Sequence, residues 1–332
     1  MKFKNCILSN RLLQLPSGFQ LKMSNLTCII RNYHSEDFDK LVRLGTDVEE
    51  RGQTGCLISP LDLIESLGQP NHSSENNLFI AERAGEIVGY ADVSPELNVG
   101  RAVLRWLVHP KHRRRRIAAK LVDRASSRIR ELGIKTIHVN ILQNSPMAKR
   151  LLTKMGFTLI RRYLELRLDL SKALLPEISK ICPRCRPLQP GEEERLTQLQ
   201  NRSFSGAWGY NANTVEEIIY RTRLPNCSPE DIIMAFDWDK PVGYCWTRIN
   251  FWKNKAPGEG AGRIYMLGVD PDYRGRGSGK QLLLAGLSYL KRKGLRVVEL
   301  TVDSENKVAC ALYKSVGFKL WTSSLWYEKR LT

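Results

Sequence analysis

The sequence predicts an α/β (α+β) protein made of two tandem copies of one domain. Three observations carry this prediction: the chain has 332 residues, a long segment of its first half recurs in its second half, and strands and helices alternate in the same order in both copies. This length suits two domains of ordinary size. Strands and helices mixed in this order form a sheet with helices packed on it.

The repeat can be read directly from the printed sequence. The matching segments are LVHPKHRRRRIAAKLVDRASSRIRELGIKTIHVNIL and LGVDPDYRGRGSGKQLLLAGLSYLKRKGLRVVELTV. Pro110 and Gly156 are separated by as many residues as Pro271 and Gly317. One duplication of such a long period indicates two copies of a domain and not a solenoid. The expected divisions are a disordered tail or mis-assigned start over 1–26, a first domain over 27–171, a linker over 172–185 and a second domain over 186–332.

The second copy shows its elements clearly. The segment KQLLLAGLSYLKRKG has helical spacing, with Leu282, Leu283, Gly286 and Leu290 on one side. Gly294 follows at the position expected for a helix C-cap. The strand VVELTV, the helix NKVACALYKSVG and the strand WTSSLWYEKRL complete the copy, and the final strand is expected to close the sheet of its own copy.

Composition narrows the partners and the compartment. The formal net charge of +18 favours acidic partners such as nucleic acid, an anionic membrane or a phosphorylated small molecule. No apolar run approaches the length of a membrane span, so a cytoplasmic protein without a membrane partner is expected. Cys182 and Cys185 form the only closely spaced cysteine pair, and no second pair or matching histidines lie near them. We therefore expect reduced thiols in a linker and no metal site.

A glycine-rich loop precedes the best helix of the second copy. Gly275, Gly277 and Gly279 stand between a strand and the helix, among basic residues. Glycines in such a loop let successive N–H groups point into one concavity, and the helix N-terminus adds further donors. The spacing fits neither a Walker loop nor a dinucleotide-binding fingerprint. The loop therefore predicts a pyrophosphate-binding site of another type.

The segment VDPDYRGRGSGKQLL resembles the acetyl-CoA-binding segment of the GNAT acetyltransferase superfamily. That segment reads Arg/Gln-x-x-Gly-x-Gly/Ala at the start of a helix, and here it spans Arg274 to Gly279. A downstream Asn-x6-Tyr-x3-Gly-Phe pattern, formed by Asn306, Tyr313 and Gly317 with its following Phe, is also similar to the family. The resemblance covers the second half nearly end to end and the first half more weakly. The tandem arrangement resembles mycothiol synthase.

The resemblance implies a fold and a set of site residues. Each domain should hold a mixed, mostly antiparallel twisted sheet flanked by helices, and the strand RIYMLGV should splay from its neighbour at a bulge. Tyr313 should protonate the leaving thiolate as a general acid. Acetyl-CoA, as co-substrate, should contact the backbone of the splayed strand, the glycine loop and one asparagine. The implied binding residues are Leu267, Val269, Arg274, Gly275, Arg276, Gly277, Ser278, Gly279, Lys280 and Asn306.

The sequence does not single out one residue as the general base that deprotonates the acceptor amine. Mycothiol synthases are expected to carry a catalytic Glu near position 263, and this chain has Arg263. Glu259, Glu299 and Asp303 are nearby carboxylates, and a chain of water molecules is a further alternative.

The first copy departs from the pattern at two positions that matter. Arg116 stands where Gly277 stands, and Leu152 stands where Tyr313 stands. We therefore expect a catalytically silent first domain, either empty or a weak binder of CoA through its arginine run. The acceptor wall is expected on the loop that carries Phe204, Trp208 and Tyr210, although these aromatic residues fit a core cap equally well.

These features predict an N-acetyltransferase. It should transfer the acetyl group of acetyl-CoA to a primary amine of a small molecule or peptide, by direct attack in a ternary complex in the second domain. The alternative is a non-catalytic CoA- or RNA-binding scaffold that uses the basic surface. Nucleic acid is the less favoured partner, and the acceptor's identity, the acyl-chain preference and the oligomeric state stay open.

Overall fold

The computed structural model describes residues 27–50, 60–113, 115–173, 175, 182, 184–249 and 261–331. The twelve strands of these residues are β1 (Ile29–Asn32), β2 (Leu78–Arg83), β3 (Glu86–Glu96), β4 (Arg101–Val108), β5 (Thr136–Leu142), β6 (Thr158–Asp169), β7 (Cys185–Pro187), β8 (Ile232–Asp237), β9 (Lys240–Ile249), β10 (Ala261–Val269), β11 (Val297–Asp303) and β12 (Lys319–Arg330). The α-helices are α1 (Phe38–Glu50), α2 (Pro60–Leu67), α3 (Ser74–Asn77), α4 (Ile117–Glu131), α5 (Pro146–Lys154), α6 (Glu193–Phe204), α7 (Val215–Thr222), α8 (Ser278–Arg292) and α9 (Lys307–Val316). The expected tail over 1–26 and Glu259 lie outside these residues.

All twelve described strands belong to one continuous sheet. Their order is β1-β2-β3-β4-β5-β12-β6-β11-β10-β9-β8-β7. The pairs β4–β5 and β10–β11 are parallel and the other described pairs are antiparallel, which confirms the expectation of mixed, mostly antiparallel sheets. The strands before β6 fill one end of the sheet, and β7 to β11 fill the other end.

The final strand of each half is exchanged. β6 ends the first half of the chain but pairs with β11 of the second half, and β12 ends the second half but pairs with β5 of the first. The two exchanged strands also pair with each other at the centre of the sheet. The expectation that each copy closes its own sheet with its final strand is therefore wrong. Both strands are amphipathic and antiparallel to their neighbours, so either arrangement would satisfy their hydrogen bonds.

Helices cover both faces of the sheet and bury four apolar clusters. In the second half, α8 packs on β9 and β10 with Leu282, Leu283 and Leu290 buried, as its apolar spacing predicts. A Cβ on Gly286 would lie 2.5 Å from the Sγ of Cys245, so glycine is needed for this close approach of helix and strand. The helices α6 and α7 cover the opposite face, against Trp246 and its neighbours.

The linker cysteines differ from the expectation of free thiols. Cys182 and Cys185 form a disulfide, and Cys182 is buried against the core that α8 covers. Within the described ranges, no cluster of three or more His, Cys, Asp or Glu side chains is arranged to hold a metal ion. The helices in those ranges include none that is both long enough and apolar enough to cross a membrane.

Candidate functional site

The site begins where two parallel strands of the second half separate. β10 and β11 pair over three residues only, from Ala261 opposite Val297 to Arg263 opposite Glu299. Beyond Arg263 the two strands diverge, and no pairing between them is found in the described chain. The edge of β10 that faces β11 is thereby left to bind a ligand through its backbone.

A β-bulge accompanies this divergence. The register between β10 and β9 shifts between Ile264 and Met266, which leaves Tyr265 as the extra residue. The equivalent strand of the first half, β4, has eight residues to the nine of β10, and its pairing with β3 shows no register shift. The bulge implied by the sequence is confirmed. Leu267 and Val269 follow it, paired on one side with Cys245 and Gly243 of β9.

The glycine loop connects β10 to α8 and presents unpaired backbone donors. Gly275 and Gly277 have left-handed backbones, with φ of +77° and +83°, and a Cβ on either would meet no atom within 4 Å. In the described part of the chain, the N–H groups of residues 275–279 have no hydrogen-bond acceptor. The helix α8 begins at Ser278, so the positive end of its dipole adds to these donors. This arrangement fits the phosphate groups of a nucleotide-containing substrate.

The basic residues of the loop hold its shape. The guanidinium of Arg274 donates to the carbonyl oxygens of Ser203 (2.7 Å) and Val269 (3.2 Å), which ties the loop to α6 and β10. Arg276 donates to the carbonyl oxygen of Asp272, and Lys280 is exposed on the first turn of α8. The side chains of Arg276 and Lys280 are therefore exposed to solvent beside the unpaired N–H groups of residues 275–279.

Tyr313 lies on the helix side of the splay. It belongs to α9, is 8% exposed, and makes an edge-to-face contact with Phe318, 5.8 Å between ring centroids. Burial raises the pKa of its hydroxyl above the ordinary tyrosine value, so it stays protonated at neutral pH. Leu267 and Val269 pack against the same apolar cluster. Asn306 caps α9, its side-chain oxygen accepting from the N–H of Ala309, and its amide group is exposed.

The opposite face of the splay is polar. Among the base candidates, Glu299 is bound by Arg167 at 2.5 Å, and both oxygens of Asp303 accept from Arg161. One further carboxylate, Glu165 on the exchanged strand β6, lies on this face and was missed by sequence reasoning. The signal was hidden because β6 precedes the linker and reads as the last strand of the first copy.

The three aromatic residues of the α6–α7 loop separate into two groups. Phe204 stacks on Tyr210 at 5.3 Å, and the hydroxyl of Tyr210 donates to Asn201. Trp208 instead lies over the centre of the sheet, where it stacks on His138 of β5 at 5.6 Å with an interplanar angle of 11° and meets Trp326 of β12 edge to face. The structure therefore brings together two members of the expected acceptor wall and places the third elsewhere.

Comparison with known proteins supplies the family. Residues 194–318 match the acetyltransferase (GNAT) family, and residues 74–159 match the acetyltransferase (GNAT) domain. The mycothiol acetyltransferase of Amycolatopsis mediterranei is 32% identical over 249 residues, which span 74% of this chain and 81% of that protein. The chain belongs to the GNAT acetyltransferase family. It is an N-acetyltransferase with two GNAT domains in tandem, and enzymes of this family use acetyl-CoA as co-substrate.

Solved structures share the tandem GNAT fold. A GCN5-related N-acetyltransferase from Sphaerobacter thermophilus has a TM-score of 0.66 at 23% identity, with 92% of this chain and 96% of that chain covered. A tandem GNAT protein from the clavulanic acid biosynthesis pathway has a TM-score of 0.68 at 16% identity, with 92% and 98% covered. At these identities the likeness establishes the fold alone.

The first GNAT domain has the same frame with different groups at the key positions. Its loop residue Arg116 takes the left-handed conformation at φ +58°, where a side chain projects from the turn. Leu152, which the repeat aligns with Tyr313, is fully buried. The loop segment that carries Trp208 covers the opposite face, where Gly209 accepts a hydrogen bond from Arg101. In the described part of this domain, β4 has no bulge against β3, arginine replaces glycine in the turn, and leucine replaces the tyrosine.

Proposed function

We propose that this protein transfers the acetyl group of acetyl-CoA to a primary amine of a small molecule or peptide, and that the chemistry takes place in the second GNAT domain. The observation that carries the proposal is the combination of the bulged, splayed strand β10 with the open N–H groups of residues 275–279. A diphosphate needs such donors, and the thioester arm of the co-substrate needs an unpaired strand edge. In the first domain β4 and β5 also separate after three paired residues, but β4 has no bulge against β3 and Arg116 stands in the turn.

Each residue of the site has a role in this proposal. The N–H groups of the loop, with Ser278, Arg276 and Lys280, hold the pyrophosphate. The freed backbone near Leu267 and Val269 pairs with the extended arm, and one of these N–H groups polarises the thioester carbonyl. The exposed amide of Asn306 remains available to donate to the same arm.

The reaction is a direct acyl transfer that passes through a tetrahedral adduct. The amine nitrogen attacks the thioester carbon, a C–N bond forms, and the C–S bond breaks. Tyr313 gives its proton to the leaving sulfur, because burial keeps the hydroxyl protonated until it is needed. Phe204 and Tyr210 line the acceptor approach in this proposal. Because relatives are named mycothiol acetyltransferases, amines on small molecules are the first class of acceptor to test. Arg263 differs from the glutamate expected at this position in mycothiol synthases.

Calorimetric titration with acetyl-CoA tests the proposal first. We expect one tight site per chain, which Gly277→Arg abolishes and Arg116→Gly does not. Amino sugars, cysteinyl amines and peptide N-termini are then tested as acceptors, and turnover is measured as the release of free CoA thiol. Turnover with one of these classes would establish the enzyme. Absence of acetyl-CoA binding together with salt-sensitive RNA binding would favour the scaffold instead.

A further inference from the structure

Glu165 is held at the polar side of the splay by two hydroxyl groups. The hydroxyl of Thr301 donates to its Oε2 at 2.6 Å, and the hydroxyl of Ser324 donates to its Oε1 at 3.3 Å. Arg263 donates to the Thr301 hydroxyl, and its guanidinium lies 3.7 Å from Oε2 of Glu165. Each carboxylate oxygen therefore keeps a lone pair for a further donor. The side chain is 17% exposed, which leaves it within reach of a ligand.

The other described carboxylates of this face are already engaged. Glu299 is 9% exposed at its side chain and is bound at 2.5 Å by Arg167. Asp303 accepts three hydrogen bonds from Arg161, and these bonds engage both of its carboxylate oxygens. An amine that approaches either carboxylate would have to compete with the guanidinium that already donates to it. The two nearest contacts of Glu165 are neutral hydroxyl groups, and its ion pair with Arg263 is longer, at 3.7 Å.

The position of Glu165 is opposite to that of the acid. Residues Val298, Leu300 and Val302 of β11 point to the core that contains Tyr313, so the alternating residues Glu299 and Thr301 point to the other face. Glu165 is paired with Thr301 across β6 and β11, two residues past the point where β10 and β11 separate. Acetyl transfer proceeds by addition of the amine to the thioester carbonyl and collapse of the tetrahedral adduct. A carboxylate on one side of the splay can take the proton of the entering amine, while the tyrosine on the other side protonates the leaving sulfur.

We propose that Glu165, supplied to the second domain by the exchanged strand of the first, accepts the proton of the attacking amine and takes the place of the glutamate expected at position 263. This inference rests on the proposed acetyl transfer. As the C–N bond forms, the amine loses one proton to the Glu165 carboxylate. As the C–S bond breaks, sulfur leaves with its electron pair and takes one proton from Tyr313. Proton return from solvent to Tyr313 and from Glu165 to solvent closes the cycle without another reactant.

Three variants test the assignment. Glu165→Gln keeps an oxygen for Thr301, so it should fold and bind acetyl-CoA as the wild type does, while kcat falls about 100-fold or more. Glu165→Gln combined with Arg263→Glu restores a carboxylate across the splay and should regain at least tenfold of the loss. Glu328→Gln is the matched control: Glu328 lies on the other exchanged strand, accepts from His138 in the first domain, and should leave kcat unchanged.

The outcomes separate this inference from the proposed function. If the wild type acetylates no amine, both fail together. If the wild type is active and Glu165→Gln stays within threefold of its kcat, the inference alone is overturned. A fall in acetyl-CoA affinity and in thermal stability, without rescue by the second change, would show a structural role and overturn it too. If Glu165→Gln does not fold, Glu165→Thr removes the carboxylate with a residue type that strands favour, and kcat within threefold of the wild type in that variant would equally overturn the inference.

Discussion

Gly277 and Arg116 occupy equivalent positions at the start of α8 and α4, and both take a left-handed backbone, with φ of +83° and +58°. The same turn is therefore built once with glycine and once with arginine. Glycine adopts this conformation without steric cost, whereas another residue type pays about 1–2 kcal/mol for it. Both domains therefore contain this turn. They differ in the space above it, which is open at Gly277 because glycine has no side chain.

Gly277→Arg should fold yet fail to bind acetyl-CoA. Arg116 shows that the turn accepts arginine, so we expect a stability loss of about 1–2 kcal/mol and a fall in affinity of at least tenfold, measured by calorimetry. Gly100→Arg is the control, since Gly100 also has positive φ and open space but lies in the first domain. Unchanged affinity in Gly277→Arg would mean that the loop does not hold the co-substrate.

Tyr313→Phe should lower kcat by about 100-fold and leave the acetyl-CoA Kd unchanged, because a general acid contributes roughly 10²–10⁴ to the rate. The raised pKa of Tyr313 also fixes the sign of the pH dependence. The hydroxyl is active while protonated, so activity should not decline through this group until the pH exceeds the ordinary tyrosine value. Tyr33→Phe, a buried tyrosine of the first domain, is the control. Equal loss in both variants would indicate a packing effect.

The repeat predicts much of this architecture, because Pro110 and Pro271 align the loops and the Gly-Phe pairs align the helices that follow. The glycine turn and the position of Tyr313 follow from the same alignment, and the structure confirms the bulge. That bulge is visible as one residue more in β10 than in β4, once the two strands are known. Local spacing is sufficient for these features because each lies within a short segment.

The exchange of β6 and β12 could not be predicted in this way. Each strand can pair with either half through the same antiparallel hydrogen bonds, so its alternating pattern does not reveal which half receives it. Glu165 was missed for the same reason, because only the pairing of β6 with β11 brings it next to the splay of the second domain. The position of Trp208 was not predictable either, because this residue of the second half stacks on His138 of the first half.

Glu192→Gln should reveal a pH-dependent contribution to stability. The guanidinium of Arg186 binds both oxygens of Glu192 and lowers its pKa to about 2. A lowered pKa in the folded state stabilises the fold above the ordinary value near 4.5, and this contribution is lost as the pH falls through about 2. We expect the variant to lose about 1–2 kcal/mol of unfolding free energy at pH 7, with the difference from wild type shrinking below pH 4.5. Glu194→Gln, at an exposed glutamate of α6, is the control in denaturant titrations.

Cleavage of the linker should leave the two halves associated. A specific protease site inserted between Leu175 and Cys182 cuts the polypeptide between β6 and β7, and β6 and β12 still lie in the sheet of the opposite half. We expect the cut protein to elute as one 1:1 complex and to retain acetyl-CoA binding. Each half, isolated in denaturant and refolded alone, lacks its central partner strand, so its exposed edge should drive aggregation. Mixing the denatured halves before refolding should restore the complex and its acetyl-CoA binding. Two stable, folded monomers after cleavage would contradict the exchange, because a half that closes its own sheet has no need of the other.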